Sequence, residues 1–157
     1  MSNEIITRFL NSQSSIYRPL YLYGKNEVMN SATNELLSGY SASHPYASVC
    51  CYTGCSLVDS YMKSIRYNTT SALLSILCSC DLLVLKDIDY VAGRVGMMEQ
   101  LYIVLDKRLE TGKPFVVFGS KAPALIDGLA PRILAILEGS LIWELDSSLE
   151  RIRLCPI

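Results

Sequence analysis

Short apolar runs alternate with amphipathic stretches along this chain, and that ordering constrains the fold more than any other feature. The runs fall at residues 20–23, 48–52, 82–85, 115–118 and 141–145. Each is too short for an ordinary helix and has the length of a buried strand. Helix-period stretches separate them at 30–37, 56–66, 70–78, 97–110 and 131–137. Strands joined by helical crossovers lie parallel, because a tight hairpin can only join antiparallel neighbours. The expected fold is therefore α/β: five parallel strands flanked by helices in three layers.

The local signals agree. In 97–110, Met97, Leu101 and Leu105 form one stripe, with Met98, Tyr102 and Leu109 flanking it and Gly112 past its end as a helix-stopping residue. Asn68 and Thr69 are capping residues for 70–78, and Pro131 suits the first position of a helix that Gly139 closes. Segments 39–45 and 89–96 are polar or small enough to be read as exposed loops.

At 157 residues the chain is expected to form one domain, 1–157, with a single core. Half of its residues are hydrophobic and 18% charged, which excludes intrinsic disorder. A net charge of −1 argues against nucleic-acid binding by bulk electrostatics and leaves only a local basic patch. No run approaches the ~18 apolar residues of a membrane span. The opening MSNEIITRFL lacks a basic segment followed by an apolar block, so a cytoplasmic location is expected, with no membrane partner. In that compartment the six cysteines, Cys50, Cys51, Cys55, Cys78, Cys80 and Cys155, read as free thiols behaving as small buried hydrophobes. The alternative is a zinc site from Cys51, Cys55, Cys78 and Cys80. Its C-x3-C and C-x-C spacings match zinc knuckles poorly, and no metal is expected.

Two segments bear on chemistry. PLYLYG at 19–24 reads as a buried strand running into a glycine turn, where a phosphate-binding loop would be built. Such a loop needs a second glycine to wrap phosphate, a lysine for the β/γ-phosphates and a hydroxyl for Mg²⁺. Counted from Gly24, those places hold Met29, Asn30 and Ser31, so only the hydroxyl is kept. Lys25 makes a false echo of the motif, since no Ser or Thr follows it. DLLVLKDID at 81–89 reads as a strand ending where a metal-binding aspartate belongs, yet Lys86 comes first and Asp87 second. The two segments describe a nucleotide frame lacking its chemistry, and no cofactor is expected.

CDLLVLKDIDYVAG at 80–93 resembles the third strand and Walker B segment of the DnaA/Hda family of AAA+ proteins. MMEQLYIVLDKRLETGKPFVVFGSKAP at 97–123 is similar to the following helix, fourth strand and sensor I region, the ETGKP and GSKAP turns being the most family-like details. The resemblance runs from about residue 16 to 145. It implies a P-loop NTPase-like AAA+ base domain, and it implies roles position by position. Gly24 fits the first loop glycine, Met29 and Asn30 replace the second glycine and the lysine, and Ser31 fits the hydroxyl. Lys86 replaces a magnesium-binding aspartate, Asp87 keeps the neighbouring acid, and Ser120 lies near sensor I. Arg132 fits an arginine of the family pattern, while the arginine-finger place falls on or near Ile136. The expectation is a base domain without the helical lid, the C-terminal DNA-binding domain or a clamp-binding peptide.

Three functions follow as expectations. The first is a non-catalytic adaptor or regulator of replication initiation, a pseudo-ATPase packing against the initiator or another AAA+ protein through Arg132 and Ile136, with homo-oligomers allowed. The second is single-stranded DNA binding through Lys63, Arg66 and Arg94, with Tyr61 and Tyr67 for stacking, or failing both an unassigned interaction module. The third, a surviving ATPase using Lys25 or Lys86, lacks a metal ligand beyond Asp87. His44, the single histidine, has no partner pattern for nucleophilic catalysis, and Trp143 reads as core or partner contact.

Overall fold

The computed structural model describes residues 4–11, 19–145 and 152–154. Its elements run α1 (Glu4–Asn11), β1 (Leu20–Gly24), α2 (Asn26–Ser43), β2 (Val49–Thr53), α3 (Gly54–Arg66), α4 (Thr70–Ser79) and β3 (Leu82–Lys86). There follow α5 (Val95–Thr111), β4 (Phe115–Gly119), α6 (Pro131–Glu138), β5 (Leu141–Leu145) and β6 (Ile152–Leu154). The strands form one sheet in the order β2-β3-β4-β1-β5-β6. All neighbours are parallel except β5 and β6, which pair antiparallel. The five expected strands are thus present, with β6 and α1 added. Among the described residues no helix is long and apolar enough to cross a membrane.

Side chains alternate across a strand, and the sheet accordingly sorts its residues between two cores. Leu20, Leu22, Val84, Val116 and Phe118 face a layer of Ile5, Ile6 and Phe9 from α1 and Met29, Ala32, Leu36 and Tyr40 from α2. Tyr21, Leu83, Leu85, Phe115 and Val117 face Leu57 and Val58 of α3, Leu77 of α4, Leu101 and Leu105 of α5 and Ile133 of α6. Both faces are covered, as a parallel sheet requires.

Three sequence expectations are corrected, the first being the helix expected over 30–37, which begins at Asn26. Segment 39–45 is not an exposed loop: α2 continues to Ser43 and buries Tyr40. Gly39 is a packing residue within the helix, since a Cβ there would lie 2.3 Å from Leu10 Cδ1 of α1. The cysteines are not uniformly buried. Cys80 is, and Cys50 and Cys78 are half-buried; Cys51 is exposed because the edge strand β2 turns alternate side chains outward, and Cys55 is exposed in the first turn of α3. All five are free, and no group of three or more metal-binding side chains comes together among the described residues. Cys155 lies outside them.

A residue the sequence reading passed over fastens one end of this sheet. Arg108, on α5, is fully buried. Its guanidinium donates to the carbonyls of Leu77 at 2.9 Å, Cys80 at 2.8 Å and Pro114 at 2.6 Å, with a longer contact to Asp81. Leu77 is in the last turn of α4, where carbonyls lack helical partners and carry the negative end of the helix dipole. Burial pulls the Arg108 pKa below its ordinary value, and the cation is held by carbonyl dipoles with no carboxylate among these partners. Replacing it by Met would strand several buried acceptors. Arg108→Met is expected to cost on the order of 3 kcal/mol, read as a lower urea midpoint. A midpoint unchanged from the parent would refute this role.

Candidate functional site

The C-terminal ends of β1, β3 and β4 converge at the edge where open α/β sheets place ligands. Here the strand-to-helix junction is unusually short. β1 ends at Gly24, Lys25 is the N-cap of α2, and the helix starts at Asn26. The Met29 N–H donates to the Lys25 carbonyl at 3.0 Å, an ordinary first-turn helical bond. The residues that a phosphate loop would need as open backbone, 26–29, are therefore the first turn of α2. Gly24 is required for a different reason from phosphate wrapping: a Cβ there would sit 2.7 Å from the Leu145 carbonyl oxygen of β5.

The individual positions separate accordingly. Met29 is 3% exposed and packs into the core shared with α1. Ser31 is exposed on α2. Asn30 and Lys86 meet: the Lys86 ammonium donates to Asn30 Oδ1 at 3.1 Å. The residues at the loop-lysine and metal-aspartate places thus bond each other with donor and acceptor exchanged. Asp87 is exposed and holds a left-handed conformation, φ 53°, at the turn into a 3-10 helix, Ile88–Tyr90. Ser120, after β4, donates through its N–H to Asp89 at 3.0 Å and through its hydroxyl to the same carboxylate. Asp89 escaped the sequence reading, and its position two residues beyond Asp87 is the one signal it left.

A cavity of about 860 Å³ opens over β1, β4 and β5, with Gly24, Lys25, Ser120, Lys121 and Glu144 on its walls. Of the sequence-derived candidates Gly24, Lys25 and Ser120 line it, Lys25 being one of the two lysines of the ATPase expectation. A magnesium nucleotide fits these groups poorly: the backbone amide at Met29 is committed, and an ammonium stands where a metal-binding carboxylate is needed.

The other candidate residues lie elsewhere. Lys63 and Arg66 are exposed on α3 beside the exposed Tyr67, while Tyr61 is half-buried against the start of α5 near Gly96. Arg94 stacks over the Tyr90 ring at 4.4 Å and donates to the Tyr90 carbonyl, so part of its binding capacity is spent locally. Arg132 is exposed, its guanidinium 5.3 Å above the Tyr102 ring. Ile136, one turn on, is half-buried against the core. His44 stacks on Tyr40 at the end of α2, and Trp143 is half-buried, its indole N–H without a hydrogen-bond partner among the described residues.

A five-stranded parallel sheet in this order, with helices on both faces and the ends of β1, β3 and β4 gathered at one edge, defines a P-loop NTPase-like domain of the AAA+ class. A model of the family described as the bacterial DnaA ATPase domain matches residues 3–144, and the chain belongs to that family. It is 27% identical over 138 residues to the chromosomal replication initiator protein DnaA of Sphingopyxis alaskensis, covering 87% of this chain and 30% of that one. The chain therefore spans about a third of the length of such relatives. AMPPCP-bound DnaA from Aquifex aeolicus superimposes with a TM-score of 0.84 at 16% identity, over 94% of this chain and 46% of that one. A replication initiator DnaA bound to AMPPCP and single-stranded DNA matches equally well, with a TM-score of 0.84, 16% identity and the same 94% and 46% coverage.

The place of Met29 yields a test. Met29→Gly would remove a buried side chain and put glycine inside a helix. It is expected to cost about 3–5 kcal/mol in denaturant unfolding. A loss below about 1 kcal/mol would mean that Met29 is not the core residue described.

Proposed function

We propose that this chain is a non-catalytic DnaA-like domain that regulates replication initiation by contact with an initiator or another AAA+ protein. The observation that carries the reading is the β1–α2 junction: one residue separates strand from helix, and the Met29 amide is bonded within the helix. Phosphate binding by a P-loop depends on a set of free backbone N–H groups and a lysine. The bond between Lys86 and Asn30 supports the reading further, since Lys86 stands at the position to which the family resemblance assigns a magnesium-binding carboxylate. The family's sheet and helical layers are kept, which supports a role exercised through surfaces.

Two measurements test the proposal. Calorimetry with ATP or ADP and Mg²⁺ is expected to show no micromolar binding; a micromolar dissociation constant would overturn the pseudo-ATPase reading. Added to the host's initiator at equimolar amounts, the protein is expected to slow ATP-dependent assembly or change ATP turnover. No effect at excess would remove replication control. Arg132→Glu is the appropriate interface variant, because Arg132 is exposed whereas Ile136 is half-buried and its mutation would disturb the core.

Single-stranded DNA binding is the second reading, favoured by Lys63, Arg66 and Tyr67 standing exposed at the end of α3. With Arg94 included, about three phosphate contacts give a slope near −2 for log affinity against log salt. Fluorescence anisotropy across salt concentrations checks this, and binding unchanged by alanine at Lys63, Arg66 and Arg94 would reject the site.

A further inference from the structure

α5 satisfies the sheet with Met97, Leu101, Val104 and Leu105, yet it carries apolar side chains on its outer side as well. Val95 is 65% exposed and Ile103 49%. Together with Met98, Tyr102 and Pro131 they wall a groove of about 720 Å³ between α5 and α6. The groove shares no residue with the cavity at the β1–α2 junction, and of the candidate residues described above Arg132 is on its wall. An apolar concavity on two packed helices, with tyrosine, methionine and arginine at its edge, has the composition of a protein-binding hot spot.

Charge narrows the occupant. Arg132 stands at one side of the groove, over the face of Tyr102, and makes no ion pair among the described residues. Stacking on a ring occupies the face of the guanidinium and leaves its edge N–H groups free, in the fork geometry that matches a carboxylate. Glu99 also reaches the groove, from α5. Its carboxylate disfavours a second acid nearby, so an acidic group fits at the Arg132 side alone.

We propose that this groove receives a short amphipathic segment of a partner protein, seating aliphatic side chains against Val95, Met98 and Ile103 and placing one carboxylate on Arg132. The proposal rests on the protein-contact reading of function and names the chemistry of the partner at that face.

The test uses two capped, fourteen-residue amphipathic helices of Leu and Ala. They are identical except for one flanking residue, Glu in the first and Lys in the second. Each is titrated into the isotope-labelled full chain and followed by amide NMR shifts. The Glu peptide is expected to move the signals of Val95, Ile103 and Arg132, and to bind several-fold more tightly than the Lys peptide. Arg132→Glu should reverse that preference, and Ile103→Asp should abolish binding of both. Circular dichroism verifies that each variant stays folded, which the exposure of both positions favours. Shifts confined to another surface, or a preference unchanged by Arg132→Glu, would overturn the proposal. Repeating the initiator assay with Ile103→Asp separates the two ideas. If the variant binds neither peptide but still affects the initiator, protein contact stands and this groove is not the contact. If the peptides bind as expected while even the parent leaves the initiator unaffected, the groove stands and replication control falls.

Discussion

The helical hydrogen bond from the Met29 amide to the Lys25 carbonyl determines the arrangement around it. By starting α2 one residue after β1, it sets the phase of the helix. Met29, Ala32, Leu36 and Tyr40 then fall on one side, where they meet the sheet and α1. The same phase leaves Asn30 and Ser31 on the exposed side and brings Asn30 to the end of β3, within reach of Lys86. A loop at this junction would need the first turn to unwind and would draw Met29 out of the core. Core packing and phosphate binding therefore compete for the same four residues, and here burial of a methionine side chain, worth roughly 2 kcal/mol, favours packing.

The remainder of the site follows from how the opposite ends of the sheet are fastened. Arg108 holds the end of α4, the start of β3 and the entry to β4 through carbonyl bonds. Asp81 adds a contact there, its carboxylate accepting the Ser48 N–H and hydroxyl, which lowers its pKa. With that edge fixed, β3 and β4 deliver Lys86 and Ser120 to the other edge in register with β1. Asp89 then ties Ser120 to the turn that follows β3. The edge is built from hydrogen bonds between protein groups, and the cavity beside it is walled by Lys25, Lys121 and Glu144.

The strands were legible because burial on both faces of a parallel sheet demands continuous apolar runs, and these survive any change of site chemistry. Lys86 at the end of β3 and Asn30 in α2 could be placed by counting, although their mutual hydrogen bond could not, since it depends on helical phase. The start of α2 was misplaced because the sequence count kept a loop after Gly24. Nothing between residues 25 and 29 forbids helix, and with no glycine there helix is the default. The extent of α2 was misread for the converse reason: Gly39 and its small, polar neighbours looked like a loop, whereas glycine there makes room for Leu10. Arg108 left no signal, because a lone arginine on a helix reads as a surface charge until its carbonyl partners are brought together. The α5–α6 groove was equally hidden, as Val95 and Ile103 belong to no core stripe.

The arrangement at this edge requires α2 to be helical from its first turn whether or not nucleotide is present. Amide hydrogen exchange resolved at Met29 and Asn30, with and without Mg²⁺ and ATP, measures this directly. The Met29 amide is expected to be protected, as an intact helical bond requires, and unchanged by nucleotide. Fast exchange at Met29 that becomes slow on adding ATP would contradict this arrangement, revealing a loop that orders around phosphate.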